Sequence, residues 1–241
     1  MQRNCFLFFI MCLCALGMTQ AQSTYTVMPA SGKITIDGKW DKAAWKNIPS
    51  VKIQNRMGDE PRFVPTTEAK ACYDTANVYV IFRVQDRYVK SKVTEYNGNV
   101  SGDSCVEFFF SPDASHPEYY FNLEVNAGGT PLIFYITKPW SGVTKLPDES
   151  IRQIEIAHSL PAVVDPEISD PVTWTVEYRI PLKMLKQFSA VTTPAAGVTW
   201  RANFYKTGSA TSNPHYYTWS PVTNPVPNFH LPAYFGQVTF K

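Results

Sequence analysis

Apolar and polar residues take turns along most of this 241-residue chain. Successive side chains of a strand point to opposite faces, so this period-two pattern predicts strands with one face buried. Val78, Val80, Phe82 and Val84 share one parity, against Tyr79, Ile81 and Arg83. Val106, Phe108 and Phe110 alternate with Cys105, Glu107 and Phe109. Tyr119, Phe121, Leu123 and Val125 oppose Tyr120, Asn122, Glu124 and Asn126, and a turn at Ala127-Gly128-Gly129 folds this run back as a hairpin. Trp174, Val176, Tyr178 and Ile180 face inward, with Glu177 and Arg179 outward. The stretches RQIEIAHS, VTWRANFYKT, HYYTWSP and FGQVTF read the same way. Helix is scarce: one turn capped by Asp41 and running through Trp45, and one short helix over 182–188. About ten half-polar strands predict an all-β fold, an antiparallel β-sandwich.

The N-terminus departs from this pattern. A lone Arg3 precedes a continuous apolar run from Cys5 to Met18, followed by Thr19-Gln20-Ala21. The run is shorter than the roughly 20 residues of a bilayer span. It reads as a secretory signal peptide over 1–21, cleaved near Ala21, rather than as a membrane anchor. The expected mature protein is one sandwich domain over 22–241, secreted to an extracellular or periplasmic space and not inserted in a membrane. The 19 Pro, 13 Tyr and 15 Phe of the full chain suit strands and structured loops. The formal charge of +2 gives no basis for a nucleic-acid partner. Cys72 and Cys105 follow the leader, and in an oxidising compartment they can either pair or stay as two buried thiols.

The polar strand faces carry the candidate chemistry. Glu107, Glu124, Asn126, Glu177, Arg201 and Asn203 fall on non-core parities. If their strands are neighbours, one sheet face gathers carboxylates, amides and a guanidinium. Such groups hydrogen-bond sugars, and Tyr96, Trp140, Tyr217 and Phe229 supply rings to stack on them. The alternative is an ordinary solvated face with cross-strand ion pairs. Glu107 paired with Glu124 or Glu177 is the one carboxylate set suited to glycoside hydrolysis, an alternative function. His116, His158, His215 and His230 lack metal-ligand spacing, and His116 and His215, next to prolines, read as surface residues. Met57 and Met184 are the methionines considered as haem ligands, with no pairing indicated. No cofactor is expected, beyond a structural calcium that cannot be placed.

Several motifs, in order, resemble family 9 carbohydrate-binding modules and their relatives, which share a sandwich with DOMON domains. Ile36-Asp37-Gly38-Lys39-Trp40-Asp41 with Trp45 looks like the family's opening. Cys72-Tyr73-Asp74 with Val78-Tyr79-Val80, Asp103-Ser104-Cys105-Val106-Glu107-Phe108, and Val125-Asn126 through Gly129 look like its successive hairpins. Trp174-Thr175-Val176-Glu177 with Ile180-Pro181, Trp219-Ser220-Pro221 and Phe235-Gly236 match its closing motifs. The resemblance implies a secreted, non-catalytic module that binds saccharide, of the kind often attached to xylanases, so xylan-like polysaccharide and secreted glycoside hydrolases are the implied ligand and partners. It places Glu107 and Asn203 on ligand-binding positions and Phe229 on one of two sandwiching Trp positions. The other Trp has no counterpart, Tyr96 being the nearest aromatic, and the family's binding Arg falls on Glu124. A scaffold that has lost sugar binding is the second reading these departures allow.

Overall fold

The computed structural model describes residues 22–241, and the expected leader lies outside the described residues. The strands are β1 (Thr24–Pro29), β2 (Val51–Lys52), β3 (Asn55–Met57), β4 (Thr66–Tyr73), β5 (Asn77–Asp86), β6 (Val89–Ser91), β7 (Cys105–Ser111) and β8 (Tyr120–Asn126). They continue as β9 (Pro131–Lys138), β10 (Gly142–Lys145), β11 (Glu155–His158), β12 (Val164–Ile168), β13 (Val172–Pro181), β14 (Thr199–Thr207), β15 (Tyr216–Thr218) and β16 (Gly236–Phe240). One long sheet runs in the order β10-β9-β8-β7-β14-β16-β1-β4-β5-β13-β11 and curls on itself, as the expected β-sandwich requires. The front layer is β10 to β16, and the back layer is β4 to β11.

Strand β1 belongs to both layers. Thr24 to Val27 pair with β16, while Met28 and Pro29 pair with β4, and both ladders are parallel. The other ladders are antiparallel. Tyr25 and Val27 point into the core from this shared strand, and the Tyr25 hydroxyl accepts from the Ala71 amide at 2.9 Å. Helix is shorter than expected: α1 (Ala43–Lys46), α2 (Asp148–Ile151) and α3 (Leu182–Leu185) are single turns. Asp41 caps nothing, because α1 starts at Ala43 with Lys42 in the capping position. The 182–188 helix stops early because Phe188 already bonds back to Leu185 in a tighter turn.

Both inner faces are those the alternation predicts. Phe108 stacks on Phe204 at 4.6 Å and on Phe110 at 4.9 Å, and Phe82 meets Phe204 edge-on from the back layer. Each fully buried ring contributes about 1.5–3 kcal/mol. Lys206 breaks the pattern, since it shares the inward parity with Phe204 and is fully buried. Its Nζ lies 3.1 Å from the buried Asp86 carboxylate, donates to the Thr207 carbonyl and sits 2.6 Å from His215 Nε2. His215 is therefore internal, not on the surface. Burial and the neighbouring ammonium lower its pKa to about 3.

The outer face of the back layer is covered by the 34–48 segment, which packs Ile34, Trp40, Trp45 and Ile48 on Cys72, Tyr79 and Ile81. Glu177 is the polar centre of that contact. Its carboxylate accepts from the Asp37 and Gly38 amides at 2.9 and 2.8 Å, and from Trp45 Nε1 at 2.8 Å. Lys42 Nζ closes the set at 2.6 Å. Gly38, at φ +73°, supplies the left-handed turn that aims both amides at one oxygen. The opening I-D-G-x-x-D motif and the W-x-x-E motif are thus two halves of one latch.

Of the two alternatives for Cys72 and Cys105, the structure has the second: both are free, buried thiols. Cys72 packs under Trp45 on the back layer, whereas Cys105 packs with Val100 and Leu132 on the front layer. The two residues lie on the outer faces of opposite layers, with the core between them.

Candidate functional site

The outer face of the front layer holds the site. Alternation puts Glu107 and Phe109 of β7, Tyr120, Asn122 and Glu124 of β8, and Asn203, Tyr205 and Thr207 of β14 on this face. The ladder register sets Glu107 directly opposite Glu124 on one side and Tyr205 on the other. Loops 222–235 and the β9–β10 turn rise over these strands and enclose a cleft of about 390 Å³. Glu107, Glu124 and Phe109 form its floor; Trp140, Phe229, His230 and Tyr216 form its walls.

The walls are aromatic and preset. Phe229 stacks on Tyr205 at 4.1 Å, and Tyr216 meets Phe229 edge-on. His230 lies over Phe109 at 5.2 Å, with its Nδ1 2.8 Å from the Tyr120 hydroxyl. Burial lowers its pKa to about 4, so the imidazole is neutral near pH 7. Trp140 stands on the tight turn between β9 and β10 at φ +67° and is 77 % exposed. Its ring edge meets His230 at 5.0 Å, which places the indole on the rim of the cleft.

The floor is acidic and poorly satisfied. Glu124 accepts one bond, from Asn122 Nδ2 at 2.9 Å. Glu107 is 2 % exposed and, among the described residues, receives no side-chain hydrogen bond. Burial, then the Glu124 charge, push the Glu107 pKa well above the usual range. Burial raises Glu124 to about 7. The pair therefore keeps a proton near neutral pH.

Of the residues singled out in the sequence, Glu107, Glu124, Trp140 and Phe229 come together in this cleft. Asn203 lies on the same sheet face but is fully buried; its amide donates to the Ser220 carbonyl and accepts from the Ser220 amide. Arg201 sits further along β14 and holds the Ala233 and Phe235 carbonyls at 3.0 and 3.2 Å, shaping the loop that carries Phe229. Tyr96 lies outside the cleft, under the Arg152 guanidinium. Asn126 is committed to the Val93 carbonyl and the Asp103 carboxylate. Tyr217 faces the core, and Glu177 is on the far layer. His230 and Tyr216 were not singled out. The one sequence signal for His230 was its place beside Phe229. Met57 and Met184 are buried in separate clusters. Among the described residues no three His, Cys, Asp or Glu side chains group as metal ligands.

The sequence pattern of carbohydrate-binding family 9 matches residues 38–240. The chain belongs to carbohydrate-binding family 9. The family's fold is seen in solved structures. A candidate carbohydrate-binding protein from Bacteroides uniformis is 24 % identical, with a TM-score of 0.82 over 92 % of this chain and 100 % of that one. A family 9 module from Caldicellulosiruptor kristjanssonii, solved with cellotriose, is 16 % identical, with a TM-score of 0.62 over 91 % of this chain and 94 % of its own. The same module with glucose gives 17 % identity and a TM-score of 0.61 over 90 % of this chain and 96 % of its own. No curated protein matches the chain by sequence.

Proposed function

We propose that this family 9 module binds saccharide, without catalysis, in the cleft between Trp140, Phe229 and the Glu107–Glu124 floor. The carrying observation is Glu107: a buried side chain that, among the described residues, receives no side-chain hydrogen bond and lines a cleft walled by aromatic rings. Rings stack on the C–H faces of a pyranose, and carboxyl groups bond its hydroxyls. The Caldicellulosiruptor module, of the same fold, is solved with cellotriose and with glucose, which supports a glucan-type or xylan-like oligosaccharide or chain end as the ligand. Hydrolysis is less well supported. It needs two carboxyl groups flanking the scissile bond, whereas here the two lie side by side on the cleft floor.

The leader over 1–21 supports export, and with it a role beside secreted glycoside hydrolases in polysaccharide breakdown. Titration calorimetry with cellotriose and xylotriose tests the binding reading. Trp140→Ala and Phe229→Ala are each expected to weaken binding by about tenfold or more, from the ~1–3 kcal/mol a stacking platform contributes. Folded protein that takes up neither sugar refutes the proposal.

A further inference from the structure

The cleft floor pairs two acids with no base. Glu107 and Glu124 are register partners on adjacent strands, which puts their Cβ atoms about 4.5–5.5 Å apart. Among the described residues, no Lys or Arg lines the cleft. Lys206, one position along β14 from Tyr205, projects through the other side of the sheet and is taken up by Asp86, His215 and the Thr207 carbonyl. His230, overhead, contributes a neutral ring. The Lys206 charge only partly offsets burial and Glu124 at Glu107. Among the described residues Glu107, nine-tenths buried and lining the cleft, has no side-chain partner, and a cation in the cleft would replace the proton the pair otherwise keeps.

A metal ion answers this poorly. Calcium takes six to eight oxygens, and two carboxylates are all the acids that the floor provides. An ammonium group answers it well. It brings three donors to the carboxyl oxygens, its charge takes the place of the proton the pair otherwise keeps and makes charge-assisted bonds, and it is attracted to the faces of Trp140 and Phe229. On the reading that the cleft binds saccharide, we propose that it selects sugars carrying a primary amino group, with the amine held between Glu107 and Glu124.

The test compares three trisaccharides with one β-1,4 backbone at pH 7: cellotriose, the trimer of glucosamine and its N-acetylated form. They differ at C2, as hydroxyl, amine or amide. Calorimetry is expected to show the amino trimer binding about tenfold or more tightly than the other two. In Glu107→Gln/Glu124→Gln, whose fold is checked by its melting curve, the amino trimer should lose at least that factor and cellotriose should lose less. Three results overturn the proposal: no preference for the amine, equal losses for both trimers, or a one-to-one calcium chloride titration that displaces the amino trimer. If cellotriose binds and the amine gains nothing, only this inference falls. If no trimer binds the folded protein, the saccharide reading falls with it.

Discussion

Replacing Glu177 by Gln keeps the shape of a buried side chain and removes its charge. Four donors converge on that carboxylate, from Asp37, Gly38, Lys42 and Trp45. Gln retains one oxygen and turns an NH2 group toward donors that need an acceptor. Hydrogen bonds to a charged group contribute about 1.5–3 kcal/mol each. Breaking a buried ion pair from one side costs about 3–5 kcal/mol. Lys42 is 15 % exposed and finds some water, so the lower half of that range, about 3–4 kcal/mol, is expected. This is a large share of a typical stability of about 5–15 kcal/mol. Urea unfolding should show it as a midpoint shift of about 1–2 M. Hydrogen exchange should show protection lost first over 34–48, the segment the latch holds. Cellotriose binding is the internal control, because the cleft lies on the opposite layer. A loss under about 1 kcal/mol, with 34–48 still protected, would refute the latch.

The same substitution at Glu124 should act with the opposite sign. Its folded pKa, about 7, lies above the ordinary 4.5, so the native state holds the proton more tightly than the unfolded chain. The stability this gives is complete below about pH 4.5 and is lost as pH rises through about 7. Glu124→Gln should flatten that loss and raise stability at pH 8 by on the order of 2 kcal/mol; an unchanged slope in urea melts from pH 4.5 to 8 counts against it. Asp86→Asn leaves the Lys206 ammonium buried and unpaired and should cost about 3–5 kcal/mol. Asp86→Asn with Lys206→Met should recover most of this, and a double variant no more stable than Asp86→Asn alone would show that the ion pair is not the cause.

The two glutamates 107 and 177 show what the chain makes legible and what it does not. Val106-Glu107-Phe108 and Val176-Glu177-Tyr178 are nearly the same strand text, and the alternation places both carboxylates off the core correctly. Which layer each strand joins is a non-local matter. β7 pairs with β14 and β13 pairs with β5, contacts between segments far apart in sequence. So one glutamate becomes a latch and the other a cleft floor. The Glu107–Glu124 register depends on the loop over 112–119, whose course local patterning does not encode. Lys206 was legible as an inward position on β14 but not as a charged one with a partner, because Asp86 reaches it from the other layer. Phe229 and Trp140 were visible as loop aromatics; their meeting depends on Arg201 and on the left-handed turn at Trp140.

That turn has a practical consequence. Trp40, Trp45, Trp174, Trp200 and Trp219 are all buried, and Trp140 alone stands in solvent. The protein thus carries its own fluorescent reporter on the rim of its cleft. Acrylamide quenching of the red edge of its emission would report on that one indole. A ligand that shields it would be detected at micromolar protein, without label or immobilisation, across a whole panel of sugars.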